Sequence, residues 1–219
     1  METLFLNQMN AKISLFQLIE SGGLPSDIIL IILAILSLIT IYILVERTVT
    51  LHNISKLNKL PSLDELSSLT NSDKIDDAIN LCQNADHPLA RILEQAILKH
   101  KKPIEEINLA VQNKGKYELA LIEKNLSGLG TISGVAPMIG FLGTVIGMIL
   151  AFHSMSTSGE NIEIKVLSEG IYTAMVTTVA GLIVGIVSYV SYNFLSSKVN
   201  NIIQIIEKET NEFIEKIKQ

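Results

Sequence analysis

Residues 135–148 read VAPMIGFLGTVIGM, an apolar run that holds Pro137, three glycines (Gly140, Gly143 and Gly147) and one hydroxyl, Thr144. Proline and glycine are the weakest helix formers, so a span serving only as an anchor would not need them. The run lies inside a charge-free stretch, Asn125–Gly159, and two further charge-free stretches, Ile28–Val45 and Gly170–Ser197, are also long enough to span. A crossing helix takes about 20 apolar residues. The reading is an all-α membrane protein with three transmembrane helices, at 24–46, 128–154 and 170–195.

Composition agrees with that class. The chain has 219 residues, 48% hydrophobic and 18% charged, with a mean hydropathy of +0.40. A net charge of −5 leaves no basic footprint for nucleic acid. The single cysteine, Cys82, excludes an internal disulfide and a cysteine-rich metal site, and it reads as a small buried hydrophobe. His52, His87, His100 and His153 lack the spacing of zinc ligands. The acidic pairs Asp64-Glu65, Asp76-Asp77 and Glu105-Glu106 fall on predicted solvated helix faces. No phosphate loop or nucleophile elbow is present, because the glycines lie inside spans rather than after a strand. These features point away from an enzyme and imply neither metal nor cofactor.

The flanks set the expected orientation. Residues 46–127 carry eleven Lys and Arg side chains, with Arg47 and Lys124 beside the spans, whereas the segment at about 154–170 carries only Lys165. Basic flanks stay inside. Residues 47–127 and the C-terminal 196–219 are therefore expected inside, and the N-terminus and the short 155–169 loop outside. Residues 1–23 read as an amphipathic helix on the outer membrane surface, through Phe5, Met9, Ile13, Phe16 and Leu18/Ile19. They lack the features of a cleavable signal peptide.

Within 47–127, Ser62 resembles a capping-box start, Asp73 is expected to cap DKIDDAINLCQ, and Pro88 and Pro103 each open a helix. The last of these is expected to run unbroken into the second span. Val199, Ile202/Ile203, Ile206, Phe213 and Ile217 give 196–219 an apolar stripe that wants a partner.

The small residues of the spans are themselves periodic. Ser133, Pro137, Gly140, Thr144, Gly147, Ala151 and Ser154 form one stripe, with Gly143 beside it; Ala174, Thr178, Gly181, Gly185, Ser188 and Tyr192 form another. In lipid, such stripes let helix backbones approach closely. Thr144, Thr173, Thr177 and Thr178 admit two readings: hydroxyls bonded back to their own helix, or polar groups lining a cavity between helices. Pro137 frees a carbonyl, which protein or water must satisfy. No ionisable side chain lies in the central part of any span. A proton path normally uses one, so under a channel reading that group must come from another polypeptide.

VAPMIGFLGTVIGMILAF and GIYTAMVTTVAGLIVGIVSYVSYN together resemble the signature of the MotA/TolQ/ExbB proton-channel family, most closely its ExbB branch; FQLIESGG, VERT and HPLARILEQAI extend the likeness over nearly the whole chain. The resemblance implies a non-enzymatic, three-span subunit of the bacterial inner membrane, N-terminus periplasmic and C-terminus cytoplasmic. It implies a pentamer around the helices of an ExbD-like single-span partner that carries an intramembrane aspartate. It also implies transfer of proton-driven work to a TonB-like protein for outer-membrane transport. The family's pore threonines fall on Thr144 and Thr178. Two departures are visible: Thr173 stands where many relatives have glutamate, and Val187 where they have proline. Thr173 can hold water but cannot titrate, and Val187 predicts a straighter third helix. TolQ-like and other stator roles, and a passive scaffold as a different class, stay open at this point.

Overall fold

The computed structural model describes residues 23–55, 61–157 and 164–218. The expected surface helix at 1–23 thus falls outside the described residues except for its last position. Among the described residues every regular element is a helix: α1 (Gly23–Ile54), α2 (Leu63–Asn71), α3 (Ile75–Asn84), α4 (Pro88–Leu98), α5 (Ile104–Ile122), α6 (Leu126–Thr157) and α7 (Ile164–Lys218). Pro25–Ile54, Leu126–Thr157 and Leu167–Lys218 are each long and apolar enough to cross a membrane. The chain divides into two compact units, Met1–Tyr42 with Gly128–Ser191 and Ile43–Ser127 with Tyr192–Gln219.

The second unit folds by the rules of water-soluble helices. Ser62 caps α2 by accepting the Asp64 amide at 3.3 Å, and Pro88 occupies the first turn of α4. Burial then follows the apolar spacing: Leu66, Ala78, Cys82, Leu89, Leu93, Ile97, Ile107 and Val111 are all interior. Removal from water pushes the Cys82 thiol up to about 11, which keeps it an unreactive core group. The stripe of α7 finds its partner in this same unit, with Val199, Ile202, Ile206, Phe213 and Ile217 buried. Lys216 pairs with Asp64 at 2.7 Å, and Lys218 donates to the carbonyls of His100 and Lys102.

Two local expectations are corrected. Asp73 does not cap α3: the cap position is Lys74, without a side-chain bond. Asp73 takes a left-handed φ of 59°, and its carboxylate reaches Lys101 at 2.7 Å and His100 at 3.7 Å. The Lys101 hydrogen bond and charge hold its pKa below the usual carboxylate range. The helix from Pro103 also stops short of the second span. α5 ends at Ile122, Asn125 turns left-handed at φ 66°, and α6 begins at Leu126. Asparagine is one of the few non-glycine residues that tolerates that region.

Glu118 is 2% exposed and takes a fork from Arg91 at 3.0 and 2.8 Å, together with Lys114 at 2.9 Å. Burial works against its carboxylate, but the hydrogen bonds and charges of Arg91 and Lys114 outweigh it, so its pKa lies below the ordinary glutamate value. Its stabilisation is present above that ordinary value and is lost as pH falls through the folded one.

His87 closes two helix ends at once. Its Nε2–H donates to the carbonyl of Ile54, the last residue of α1, at 2.7 Å, and its Nδ1 accepts the Leu89 amide of α4 at 3.1 Å. This arrangement requires the neutral ring, since an imidazolium has no acceptor. Burial, aided by the Arg91 charge, lowers the His87 pKa against the opposing pull of the Ile54 carbonyl and Asp86. The stability from His87 is therefore complete above the ordinary histidine pKa and lost as pH falls below it. The detergent-solubilised protein should show a falling thermal midpoint as pH drops from neutral to mildly acidic. His87→Ala should lower the midpoint at neutral pH, a lost N-cap costing about 0.5–2 kcal/mol, and should show a shallower pH dependence. An unchanged slope would remove His87 as its source.

Candidate functional site

α6 stays helical through Pro137, Gly140, Gly143 and Gly147 because a membrane helix has no water to bond its backbone if it unwinds. What those residues achieve is proximity to α7. At Gly140 a Cβ would sit 2.7 Å from the Thr177 carbonyl oxygen and 3.0 Å from the Gly181 Cα. At Gly181 it would sit 2.6 Å from the Ala136 carbonyl oxygen and 2.8 Å from the Gly140 Cα. The backbones meet there with no room for any side chain. Gly147 lies against Ala174, Gly170 against Ala151, and Gly143 against the Thr177 side chain. A Cβ at Gly185 would come within 2.6 Å of the Pro137 ring and 3.1 Å of the Ser133 carbonyl, the one deprived of its donor by Pro137. The two small-residue stripes of the sequence are thus one antiparallel seam within a single chain.

The hydroxyls lie along this seam. Thr144 Oγ1 donates to the Ala174 carbonyl at 2.9 Å, Thr178 Oγ1 donates to the Gly140 carbonyl at 3.1 Å, and the two hydroxyl oxygens touch. Each threonine thereby bonds the backbone of the opposite helix. Thr177 is fully buried and bonds the Ala174 carbonyl of its own helix at 2.7 Å, with Gly140 O at 3.1 Å. Thr173 is buried and bonds back to Glu169 O at 2.9 Å. Of the four threonines, only Thr144 and Thr178 are half-open at the surface of the chain.

α1 covers one edge of the seam. Ile29 and Leu33 pack with Ile132 and Ala136, flanked by Leu36, Ile139, Ile146, Ala180 and Val184. A second hydroxyl contact pins α1 here: Ser188 Oγ donates to Leu129 O at 3.1 Å and meets Thr40 Oγ1 at 3.4 Å, both side chains buried. Sequence reasoning placed Ser188 on a stripe but gave Thr40 no role; a hydroxyl among the aliphatic side chains of LITI was its only signal. The helical phases put α1's partners on one side of the seam and the Thr144–Thr178 pair on the other. Among the described residues, no group of three His, Cys, Asp or Glu comes together as a metal site.

Three apolar spans, one carrying a glycine-lined seam with a hydroxyl pair at its open edge, define a multi-pass, all-helical membrane protein. The chain belongs to the MotA/TolQ/ExbB proton channel family, whose model matches residues 84–208. It is 30% identical to an ExbB-like biopolymer transport protein of Synechocystis sp., over 80% of this chain and 83% of that one. It is 25% identical to the biopolymer transport protein ExbB of Neisseria meningitidis, covering 86% and 88%. It is 28% identical to the Tol-Pal system protein TolQ of Haemophilus influenzae, covering 94% and 93%.

The glycine contacts separate two kinds of position. Gly181→Ala should loosen the α6–α7 seam and lower the thermal midpoint of the purified protein, because both obstructing groups are backbone. Gly134→Ala, with nothing within 4 Å of the added methyl, should leave the midpoint unchanged or raise it, by about 0.5–1 kcal/mol of helix propensity. Equal losses at both positions would mean that proximity is not what Gly181 provides.

Proposed function

We propose that this protein is the channel-wall subunit of an inner-membrane motor driven by the proton motive force, and not an enzyme. Several copies, five by resemblance, surround the single-span helices of an ExbD-like partner whose aspartate is the titrating group. The N-terminus faces the periplasm and residues 47–127 and the C-terminus face the cytoplasm. The work passes to a TonB-like protein that opens outer-membrane transporters. The reading is carried by the Thr144–Thr178 pair, a polar feature at the open edge of a seam in spans that hold no ionisable side chain in their central parts. There the hydroxyl oxygens can hydrogen-bond water or a carboxyl group entering beside them. A TolQ-like role in envelope constriction is the second reading, favoured by the 28% identity to TolQ along 94% of this chain.

Thr144→Ala combined with Thr178→Ala tests the assignment in proteoliposomes that hold this chain with its single-span partner. Proton flux should fall roughly tenfold or more while the complex still assembles, since a hydrogen bond to a charged group is worth about 1.5–3 kcal/mol. Wild-type flux from the double variant would sink the polar-pore assignment. No flux from the wild type with any partner would favour a passive scaffold.

A further inference from the structure

The open edge of the seam carries more than the threonine pair. On α6, Phe141 and Met148 stand three residues before and four after Thr144 and are 63% and 39% exposed. On α7, Met175 and Leu182 hold the same places about Thr178 and are 60% and 45% exposed. The alternative neighbours at helical spacing, Gly140 and Gly147 on α6 and Ala174 and Gly181 on α7, are buried in the seam. Each threonine therefore opens toward its exposed large neighbours.

The antiparallel register fixes the levels. Gly140 lies against Gly181 and Gly147 against Ala174. Phe141, next to Gly140, is thus level with Leu182, next to Gly181. Met148, next to Gly147, is level with Met175, next to Ala174. The polar pair sits between two purely apolar layers, one of Phe141 with Leu182 and one of Met148 with Met175.

We propose that these layers are collars that break the water column on either side of the threonine pair. The inference rests on the channel reading, in which this edge faces the pore. Apolar constrictions exclude water and ions by dewetting. A wet pore would short-circuit the gradient by passing protons along continuous water. With the collars in place, a carboxylate on the partner helix takes a proton from hydronium on one side and is carried past as the neutral acid. It then releases that proton to water on the other side. Transport is thereby tied to movement of the carrier. Methionine suits such a layer because its flexible thioether fills irregular space around a moving neighbour.

The test uses the assembled complex in proteoliposomes, with the partner's aspartate replaced by asparagine so that carried transport is absent. Met148→Gln with Met175→Gln makes one layer polar at nearly constant volume, and Phe141→Tyr with Leu182→Gln does so at the other. Because either layer left intact would still break the column, the two pairs of substitutions are combined, and assembly is checked by size-exclusion chromatography. Met148→Leu with Met175→Leu keeps the layer apolar. The combined variant should leak protons several-fold above the same complex with both layers intact, and the variant with Met148→Leu and Met175→Leu in place of the two glutamines at those positions should not. No added leak in a wild-type background that conducts with the intact partner overturns the collars alone. Equal leak from the leucine variant also overturns them, since shape rather than polarity would then be responsible. Failure of the wild-type complex to conduct at all removes the channel reading, and the collars with it.

Discussion

The contact on which the membrane unit depends is the meeting of two backbones at Gly140 and Gly181, where a Cβ on either would fall within 3.0 Å of main-chain atoms. In lipid there is no hydrophobic gain from bringing two apolar helices together, so association rests on close packing and a few hydrogen bonds. Side chains on both surfaces would hold the axes too far apart for dispersion between the main chains to count. The glycines, together with Ala136, Ala151 and Ala174, remove that barrier. Proximity also brings carbonyls of one helix within reach of threonine hydroxyls of the other. The polar pair is thus a consequence of the glycine seam.

The other unit depends on a different physics. Its helices are short and amphipathic, and they close by burying aliphatic stripes away from water. The costly elements are polar ones. Glu118 is interior only because Arg91 and Lys114 both meet its carboxylate; with one of them absent the desolvation would go uncompensated. Arg47 at the end of the first span answers a similar need. It forks onto Glu46 at 2.6 Å and approaches Leu121 O at 3.4 Å, near the C-terminal end of α5, where carbonyls lack helical partners.

Much of this was legible in the sequence, for identifiable reasons. Charge-free runs mark spans because a charge in lipid is expensive, and Pro88 and Pro103 mark helix starts because proline lacks the N–H that a first turn leaves unused. The small-residue stripes were visible because close packing imposes helical spacing on residue size. Other features were hidden because they depend on geometry between distant residues. Glu118 continues a surface-like pattern, and only the arrival of Arg91 from 27 positions earlier makes it interior. Asn125 and Asp73 look like ordinary polar residues, and nothing local announces a left-handed turn there. Thr177 and Thr178 are adjacent in sequence, and their difference turns on which edge α1 covers. A helix separates them by about 100°, enough to bury one and leave the other at the open edge.

Magnitudes bear on what the threonine pair is for. An interhelical hydrogen bond in a membrane contributes about 0.6 kcal/mol on average, because an unpacked helix finds other partners for its hydroxyls. Two such bonds amount to little beside the packing lost when a methyl is forced between main chains at Gly140 or Gly181. Stability alone thus gives weak grounds for placing two hydroxyls at this level, and alanine would pack as closely. The pair also has an unfavourable side, since both hydroxyls sit half-buried at an edge flanked by the exposed Phe141, Met148, Met175 and Leu182. A polar group in an apolar setting, with a structural return this small, fits the proposed channel reading, in which it matters for what it meets at that edge more than for what it holds together.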